Sequence, residues 1–202
     1  MKKYLISACV ILLGGVMFSC NLLDSDKEET DPDQTLGKPG NYWKGTATGY
    51  PEATATVSQN NDGNVVASLS YGGNTYQVEG KVTSEGIYDY VYSNGDRKKP
   101  FPLVKFDAKV GDKWEFNIGN QKVVREVVRK STEDDTPYIF WMIKTIDVEE
   151  TIPAGLQVKG GPSQASKILW KFNHKFGFIS ATVTRPNGQQ VTVRQTDTNA
   201  AD

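Results

Sequence analysis

The side chains that most often carry out catalysis are scarce in this sequence. His174 is the single histidine, and it lies in Asn173-His174-Lys175, with no Gly-x-Ser-x-Gly nucleophile motif anywhere in the chain. One histidine also rules out the His-Glu-x-x-His zinc site. We therefore interpret His174 as a turn or capping residue, and we predict no catalytic residues, no metal site and no cofactor.

Two pairs of adjacent carboxylates are the remaining candidates for acid–base chemistry of the glycosidase type. They are Asp134-Asp135 and Glu149-Glu150. Neighbouring residues on a strand point to opposite faces of a sheet, so neither pair places both carboxylates on one side of a substrate. Because both pairs flank predicted strands, we expect solvated loop ends. The sequence thus predicts a protein that is not an enzyme.

Aromatic side chains are the remaining candidates for binding. Tyr88, Tyr90 and Tyr92 alternate along one predicted strand and should project from one face. This spacing suits stacking on sugar rings, and it equally suits the filling of a core. The three tyrosines are therefore our candidate binding residues.

The turn before the tyrosines decides between those two roles. A two-residue loop at Glu85-Gly86 places the tyrosines on the polar face, whereas a three-residue loop, Ser84-Glu85-Gly86, places Tyr88 opposite Val82 on the apolar face. Ser-Glu-Gly suits a type I turn that ends in a left-handed glycine. We therefore predict the three-residue loop and buried tyrosines.

The elements that would position these residues are antiparallel strands. Turn signals recur at barrel-like or sandwich-like spacing, at Asp62-Gly63, Gly73-Asn74, Glu85-Gly86, Asn94-Gly95, Gly119-Asn120 and Asn187-Gly188. The pattern predicts an all-β fold, with one strongly curved antiparallel sheet or barrel of about 10–12 strands and a β-sandwich as the alternative. We place one domain at residues 41–197 and a disordered tail at 198–202.

Three hairpins can be registered from their turns. A two-residue loop at Gly73-Asn74 pairs Tyr71 with Tyr76 and Leu69 with Val78, which leaves one face apolar. The other two predicted pairs are Val183 with Val191 around Pro186–Gly188, and Phe116 with Val123 around Gly119-Asn120. Lys122–Lys130 is expected to be a strand, because four valines follow a hairpin turn. Tyr138–Ile143 is apolar at every position, which predicts a central, covered strand.

The N-terminus carries a secretion signal. Lys2 and Lys3 precede a 14-residue apolar run, Leu5 to Phe18, and Ser19 lies directly before Cys20. The run is shorter than the about 20 residues that a transmembrane helix needs. The stretch resembles a bacterial lipoprotein signal of residues 1–19, which implies that Cys20 is acylated and anchors the mature chain.

Residues 20–40 then form an acidic segment that cannot bury a core. Asp24, Asp26, Glu28 and Glu29 lie a few residues beyond the cysteine, which resembles the surface-export signal of Bacteroidetes-type lipoproteins. The resemblance implies a flexible tether and a lipid-anchored protein of the outer membrane, exposed at the cell surface.

The charge and the cysteine content of the chain exclude some classes of binding partner and of site. Without the two lysines of the signal, 21 basic and 24 acidic side chains remain, and 19 against 18 lie beyond residue 40. A nearly neutral domain has no basic stripe, so we predict no nucleic-acid partner. Cys9 and Cys20 are the only cysteines, so the mature domain has none for a disulfide or a metal site.

The C-terminal half resembles curved-sheet envelope domains related to lipoprotein carriers. The residues that follow the order of their motifs are Lys109–Trp114, Thr151–Gly155, Trp170 and Lys175–Ile179. The resemblance implies a strongly bent sheet. The rival is a closed, lipocalin-like barrel; Trp43 is similar to that family's N-terminal tryptophan but lacks its Gly-x-Trp spacing.

These observations lead to two expectations for function. The first is a non-catalytic binding or accessory module that contacts an extracellular polymer, in particular a glycan. The alternative is a carrier that holds an apolar small molecule inside the curved sheet. The membrane is a partner through the lipid anchor, and the sequence does not identify protein partners.

Overall fold

The computed structural model describes residues 37–156 and 165–199, and these residues form strands and turns without a helix. The signal-like residues 1–19, Cys20 and the acids Asp24, Asp26, Glu28 and Glu29 lie outside the described residues. The strands are β1 (Tyr42–Ala47), β2 (Ala53–Asn61), β3 (Asn64–Tyr71), β4 (Asn74–Thr83), β5 (Gly86–Asp89), β6 (Phe101–Lys105), β7 (Lys113–Ile118), β8 (Gln121–Lys130), β9 (Thr136–Tyr138), β10 (Trp141–Ile143), β11 (Ile146–Thr151), β12 (Lys167–Asn173), β13 (Gly177–Thr184) and β14 (Gln190–Thr198).

Twelve of these strands form one antiparallel sheet, in the order β6-β5-β4-β3-β2-β1-β14-β13-β12-β11-β8-β7. The sheet curls until its two edge strands, β6 and β7, approach each other, so the predicted curved sheet or barrel is confirmed as a nearly closed barrel. Strands β1–β6 form one meander, and β7, β8 and β11–β14 form a second. The β1–β14 ladder joins the two.

Side chains point alternately inward and outward along each strand, and the inward ones fill the barrel. On β3, for example, Val65, Ala67, Leu69 and Tyr71 are buried while the residues between them are more exposed. The same period on β2, β8, β13 and β14 directs their apolar side chains into one continuous core. The three largest fully buried side chains are two aromatic residues and one charged one, Trp43, Trp170 and Arg125.

The barrel has two distinct ends, which the registers define. The first, here called the rim end, carries the turns at 72–73, 119–120 and 186–188. The opposite, hairpin end carries the turns at 62–63 and 84–85 and the separate two-stranded β9–β10 hairpin between β8 and β11.

Two hairpin registers predicted from the sequence are confirmed. Val183 pairs with Val191 around the 186–188 loop, and Phe116 pairs with Val123 across the turn at 119–120. Lys122–Lys130 lies within β8, as its valines predicted. In each case the glycine of the turn has a positive φ, 81° at Gly188 and 58° at Gly119.

The β3–β4 register was wrong by two residues. Tyr71 pairs with Asn74 and Leu69 with Tyr76, so the loop is Gly72-Gly73 and not Gly73-Asn74. Both glycines have positive φ, 56° and 80°, which is what the two central positions of a type I′ turn require. Because the error is an even number of residues, every side chain stays on its predicted face.

The turn before the tyrosines was also wrong. Thr83 pairs with Gly86 and Lys81 with Tyr88, so the loop consists of Ser84 and Glu85. Gly86 is not the left-handed turn residue. It is the first residue of β5, and a Cβ there would collide with the carbonyl oxygen of Val104 on β6.

The prediction of a covered strand at Tyr138–Ile143 was wrong as well. The segment turns back on itself as β9 and β10, with Trp141 paired to Tyr138. Tyr138 and Ile143 are buried at its base, whereas the four residues between them are exposed. The apolar pattern alone could not separate a covered strand from a protruding hairpin.

Hydrogen bonds extend the described structure on both sides of residues 41–197. The amide of Gly40 donates to the carbonyl of Val57, and β14 continues to Thr198. Asn199 accepts from the amide of Tyr42 through its side chain at 2.8 Å. Of the predicted tail, residues 200–202 lie outside the described residues.

Candidate functional site

A cluster of charged and polar side chains lies inside the barrel. We call Asp89, Tyr92, Arg125, Glu150 and Trp170 the charge cluster. Arg125 Nη2 lies 2.6 Å from Asp89 Oδ2, and its Nε lies 2.6 Å from Glu150 Oε2. Trp170 Nε1 donates to the same Glu150 oxygen at 3.0 Å, and the Tyr92 hydroxyl donates to the other one. Glu150 therefore accepts from three different side chains.

Strand alternation and register place the charges together. Arg125 lies between Val123 and Val127 on β8, and all three face inward. Glu150 on β11 is the direct partner of Arg125 in the antiparallel ladder. Asp89 on β5 lies on the other side of the gap between the edge strands β6 and β7, since β5 and β8 belong to different meanders. The cluster thus connects the two halves of the fold.

Arg125 also closes the seam between the edge strands. Its Nη1 donates to the carbonyl oxygens of Phe101 at 3.2 Å and Pro102 at 2.8 Å, both on β6. Trp114 on β7 donates through Nε1 to the Pro102 carbonyl at 2.5 Å. Side-chain donors therefore satisfy carbonyls of an edge strand that has no backbone partner on this side. The guanidinium also lies 4.1 Å from the centre of the Phe101 ring.

Burial controls the protonation of the cluster. It raises the pKa of Asp89 above its ordinary value, and the attraction of Arg125 offsets this only in part. Burial, reinforced by Glu150, also raises the pKa of Tyr92 well above its usual range, which keeps the hydroxyl a donor. Burial opposes the charge of Arg125, but Asp89 and Glu150 outweigh it, and the pKa of Arg125 is raised.

The cluster corrects the expectation for Glu149-Glu150. The pair does not form a solvated loop end, because both residues lie within β11. Glu149 faces outward and pairs with Lys167 at 2.8 Å, while Glu150 is 1% exposed. The two carboxylates do point to opposite faces, as expected. The other pair is as predicted, since Asp135 is exposed and bonds with Arg129 at 2.7 Å.

The rim end exposes part of the inner face. Six apolar side chains there are only partly buried, although they pack against the core: Tyr50, Tyr76, Val78, Phe116, Ile118 and Val191. On β4 the exposure is graded, since Val82 is fully buried while Val78 and Tyr76, nearer the rim end, are not. We call these six residues the rim.

Two buried aromatic rings, those of Tyr92 and Phe101, lie beneath Phe116 of the rim. The centroid of Phe116 lies 5.4 Å from that of Phe101 and 6.2 Å from that of Tyr92. Tyr92 and Phe101 in turn contact each other edge to face at 5.8 Å. Because Tyr92 belongs to the charge cluster, these rings separate the buried charges from the apolar surface of the rim.

The structure separates the three candidate tyrosines. β5 ends at Asp89, so Tyr90 and Tyr92 lie beyond the strand, and the predicted alternation along one strand is wrong. Tyr88 is half-buried opposite Lys81. Tyr90 is buried, with its hydroxyl 3.0 Å from Asn64 Oδ1, and Tyr92 is buried in the charge cluster. His174 lies in a turn, as predicted, and Asn173 caps that turn by accepting from the amides of residues 175 and 176.

Among the described residues, no group of three or more His, Cys, Asp or Glu side chains is arranged to hold a metal ion. The same part of the chain has no helix long and apolar enough to cross a membrane. No protein family, curated protein or solved structure matches the chain. The fold defines its class, a nearly closed antiparallel barrel, and its function has to be inferred from geometry.

Proposed function

We propose that the protein is a lipid-anchored, non-catalytic binding module of the outer membrane that holds an apolar ligand at the rim of its barrel. The observation that carries this proposal is the graded exposure of the inner face. The barrel is sealed by fully buried side chains below the rim, and its apolar lining reaches solvent at the rim end.

The chemistry of the rim suits an apolar ligand. Two tyrosines, a phenylalanine and three aliphatic side chains offer a large apolar area with two hydroxyl groups, those of Tyr50 and Tyr76, for orientation. Sites for small apolar molecules are lined in this way, with few polar groups. The buried charges below are bonded to one another, so the rim presents no unpaired charge from the charge cluster to a ligand.

Glycan binding is the second candidate. A sugar platform needs exposed aromatic rings, and Tyr90 and Tyr92, two of the three tyrosines first considered for it, are buried. Within residues 37–156 and 165–199, the exposed Phe, Tyr and Trp side chains are instead Phe140 and Trp141, at the opposite end of the barrel. Glycan binding would therefore use a different surface from the rim.

A fluorescent fatty acid tests the rim. The protein for this assay is the chain of residues 20–202 with Cys20→Ala, which contains every described residue and carries neither the apolar signal nor an acyl chain. Titration with cis-parinaric acid should give a saturable rise in fluorescence. Val78→Asp, which places a carboxylate on the rim, should weaken binding at least about tenfold, because that charge loses water when the ligand covers it.

Gln77→Asp is the matched control. It adds the same charge one residue away on β4, but on the exposed outer face. This variant should bind as the parent does, and circular dichroism should show that both variants are folded. Absence of saturable binding by the parent, or equal binding by the folded Val78→Asp variant, would refute the proposal for the rim.

A further inference from the structure

The hairpin end carries an unusual concentration of exposed apolar side chains. Ile139, Phe140, Trp141 and Met142 follow one another in the chain and are 40%, 89%, 48% and 51% exposed. Val110, which is 60% exposed, lies in the β6–β7 connection at the same end. The four consecutive residues account for four of the six large hydrophobic side chains that are exposed in the described part of the chain. We call residues 139–142 the apolar tip.

The apolar tip is held in place rather than left loose. Trp141 stacks on Phe176 with ring centres 5.7 Å apart and 22° between the planes, and Phe140 contacts Trp141 edge to face at 6.2 Å. Ile139 has a φ of 49°, a left-handed conformation that a β-branched residue adopts at a cost in energy. The folded protein thus holds four apolar side chains in water at a cost in free energy. An exposed apolar patch of this kind indicates a surface that contacts a partner.

The described chain begins at the same end as the apolar tip. Tyr42, at the start of β1, and Asn199, after β14, are hydrogen-bonded to each other at the hairpin end. The hairpin reaches this point, since the Tyr138 hydroxyl lies 3.1 Å from the side-chain amide of Gln195 on β14. Gln195 in turn pairs with Gly45 on β1. Gly37, the first described residue, also lies at this end, close to Asn60 and Val65.

We propose that the apolar tip inserts into the interface of the lipid bilayer to which the protein is anchored. This inference rests on the proposed lipid anchor at Cys20. The 17 residues from Cys20 to Leu36 span at most about 60 Å when fully extended, so the hairpin end can always reach the membrane surface. In this orientation the rim end faces away from the bilayer.

Charged side chains around the tip fit a membrane surface. Lys144 follows β10 directly and is exposed, and Lys175 lies with its Nζ 5.4 Å from the centre of the Phe176 ring. Both flank the tip, where they can meet lipid phosphates while the aromatic rings occupy the interface. Of the three acids in the loop before β9, Asp135 is bonded to Arg129, Asp134 lies close enough to His174 to influence its pKa, and Glu133 is exposed to solvent. The tip itself, residues 139–142, contains no charge.

Tryptophan fluorescence tests the insertion without the anchor. The protein is again residues 20–202 with Cys20→Ala, mixed with phosphatidylcholine–phosphatidylglycerol vesicles that contain brominated lipid. Trp43, Trp114 and Trp170 are buried, so quenching by bromine reports mainly on Trp141. We expect quenching and co-sedimentation with vesicles. Phe140→Asp should weaken binding roughly tenfold to a hundredfold, the range for losing one buried aromatic side chain.

Val128→Asp is the matched control, because Val128 is also 40% exposed but lies on the outer wall of β8. It should bind vesicles as the parent does. A parent protein that is not quenched, or a Phe140→Asp variant that binds equally well, would overturn the proposal. A Phe140-dependent signal on a glycan array without vesicle binding would assign the tip to a glycan instead. The proposed acylation of Cys20 is tested separately: wild-type protein that incorporates no labelled palmitate would refute it without bearing on the vesicle assay.

Discussion

Replacing Arg125 by methionine should be among the most destabilising single changes in the domain. The side chain is 1% exposed and donates to two carboxylates and two backbone carbonyls. Methionine restores most of the volume but no donor. Asp89 and Glu150 would then be buried without a counter-charge, and the Phe101 and Pro102 carbonyls would lose a partner at the seam.

The expected cost is about 3–5 kcal/mol, the range for removing one member of a buried ion pair. Because domains are stable by about 5–15 kcal/mol, much of the stability would be lost. With a urea slope of about 2 kcal/mol per molar, the unfolding midpoint should fall by about 2 M. Circular dichroism and tryptophan fluorescence would follow unfolding of the chain of residues 20–202 with Cys20→Ala.

Arg129→Met is the control for this prediction. Arg129 lies four residues further along β8 and also bonds to a carboxylate, Asp135, but both of these side chains are more than 40% exposed. Arg129 also donates to the Thr145 hydroxyl and lies 3.8 Å from Asp147, but Asp147 keeps Lys171 as a counter-charge at 2.6 Å when Arg129 is removed. Such a pair contributes about 0–1 kcal/mol. Adding Glu150→Gln to Arg125→Met should recover part of the loss, because it removes one uncompensated buried charge. Equal costs for Arg125→Met and Arg129→Met would refute the view that the charge cluster closes the barrel.

Two further predictions concern single residues. His174 is the sole histidine, and burial together with Lys144 lowers its pKa, so NMR titration should give a pKa below 6.5 that rises in Lys144→Met. Because the unfolded chain then binds a proton more readily than the folded one, the free energy of unfolding should fall as the pH drops from 6.5 towards that pKa. A measured pKa at or above 6.5 would contradict this prediction. Acylated Cys20 should make wild-type protein fractionate with membranes and incorporate labelled palmitate, whereas Cys20→Ala should not be labelled, and an unlabelled wild type would exclude the anchor.

The sequence predicted the faces of strands better than their registers. Apolar alternation assigned Leu69, Ala67 and Val65 to the inside correctly, even though the β3–β4 loop was misplaced. The misplacement arose because three residues, Gly72-Gly73-Asn74, all tolerate a left-handed conformation. Only the structure showed that Gly72 and Gly73 are the two residues of the turn, both with positive φ.

The charge cluster could have been found in part from the sequence. Arg125 lies between Val123 and Val127 at strand spacing, so alternation alone places it inside the sheet. Its partners could not be found in this way, because Asp89 lies on the other meander and is brought close only by closure of the barrel. The apolar tip was missed for a related reason, since the same composition suits a covered strand and an exposed hairpin.

The arrangement of the two meanders dictates an order of folding. Within β1–β6 and within β7–β14 every ladder joins strands close in sequence, and such local hairpins form early. The ladder between β1 and β14 joins residues about 155 apart, such as Trp43 and Thr198, so it forms only when the last strand is available. Until then β1 is an open sheet edge. A chain that emerges from its N-terminus would therefore complete its barrel last, at the β1–β14 ladder.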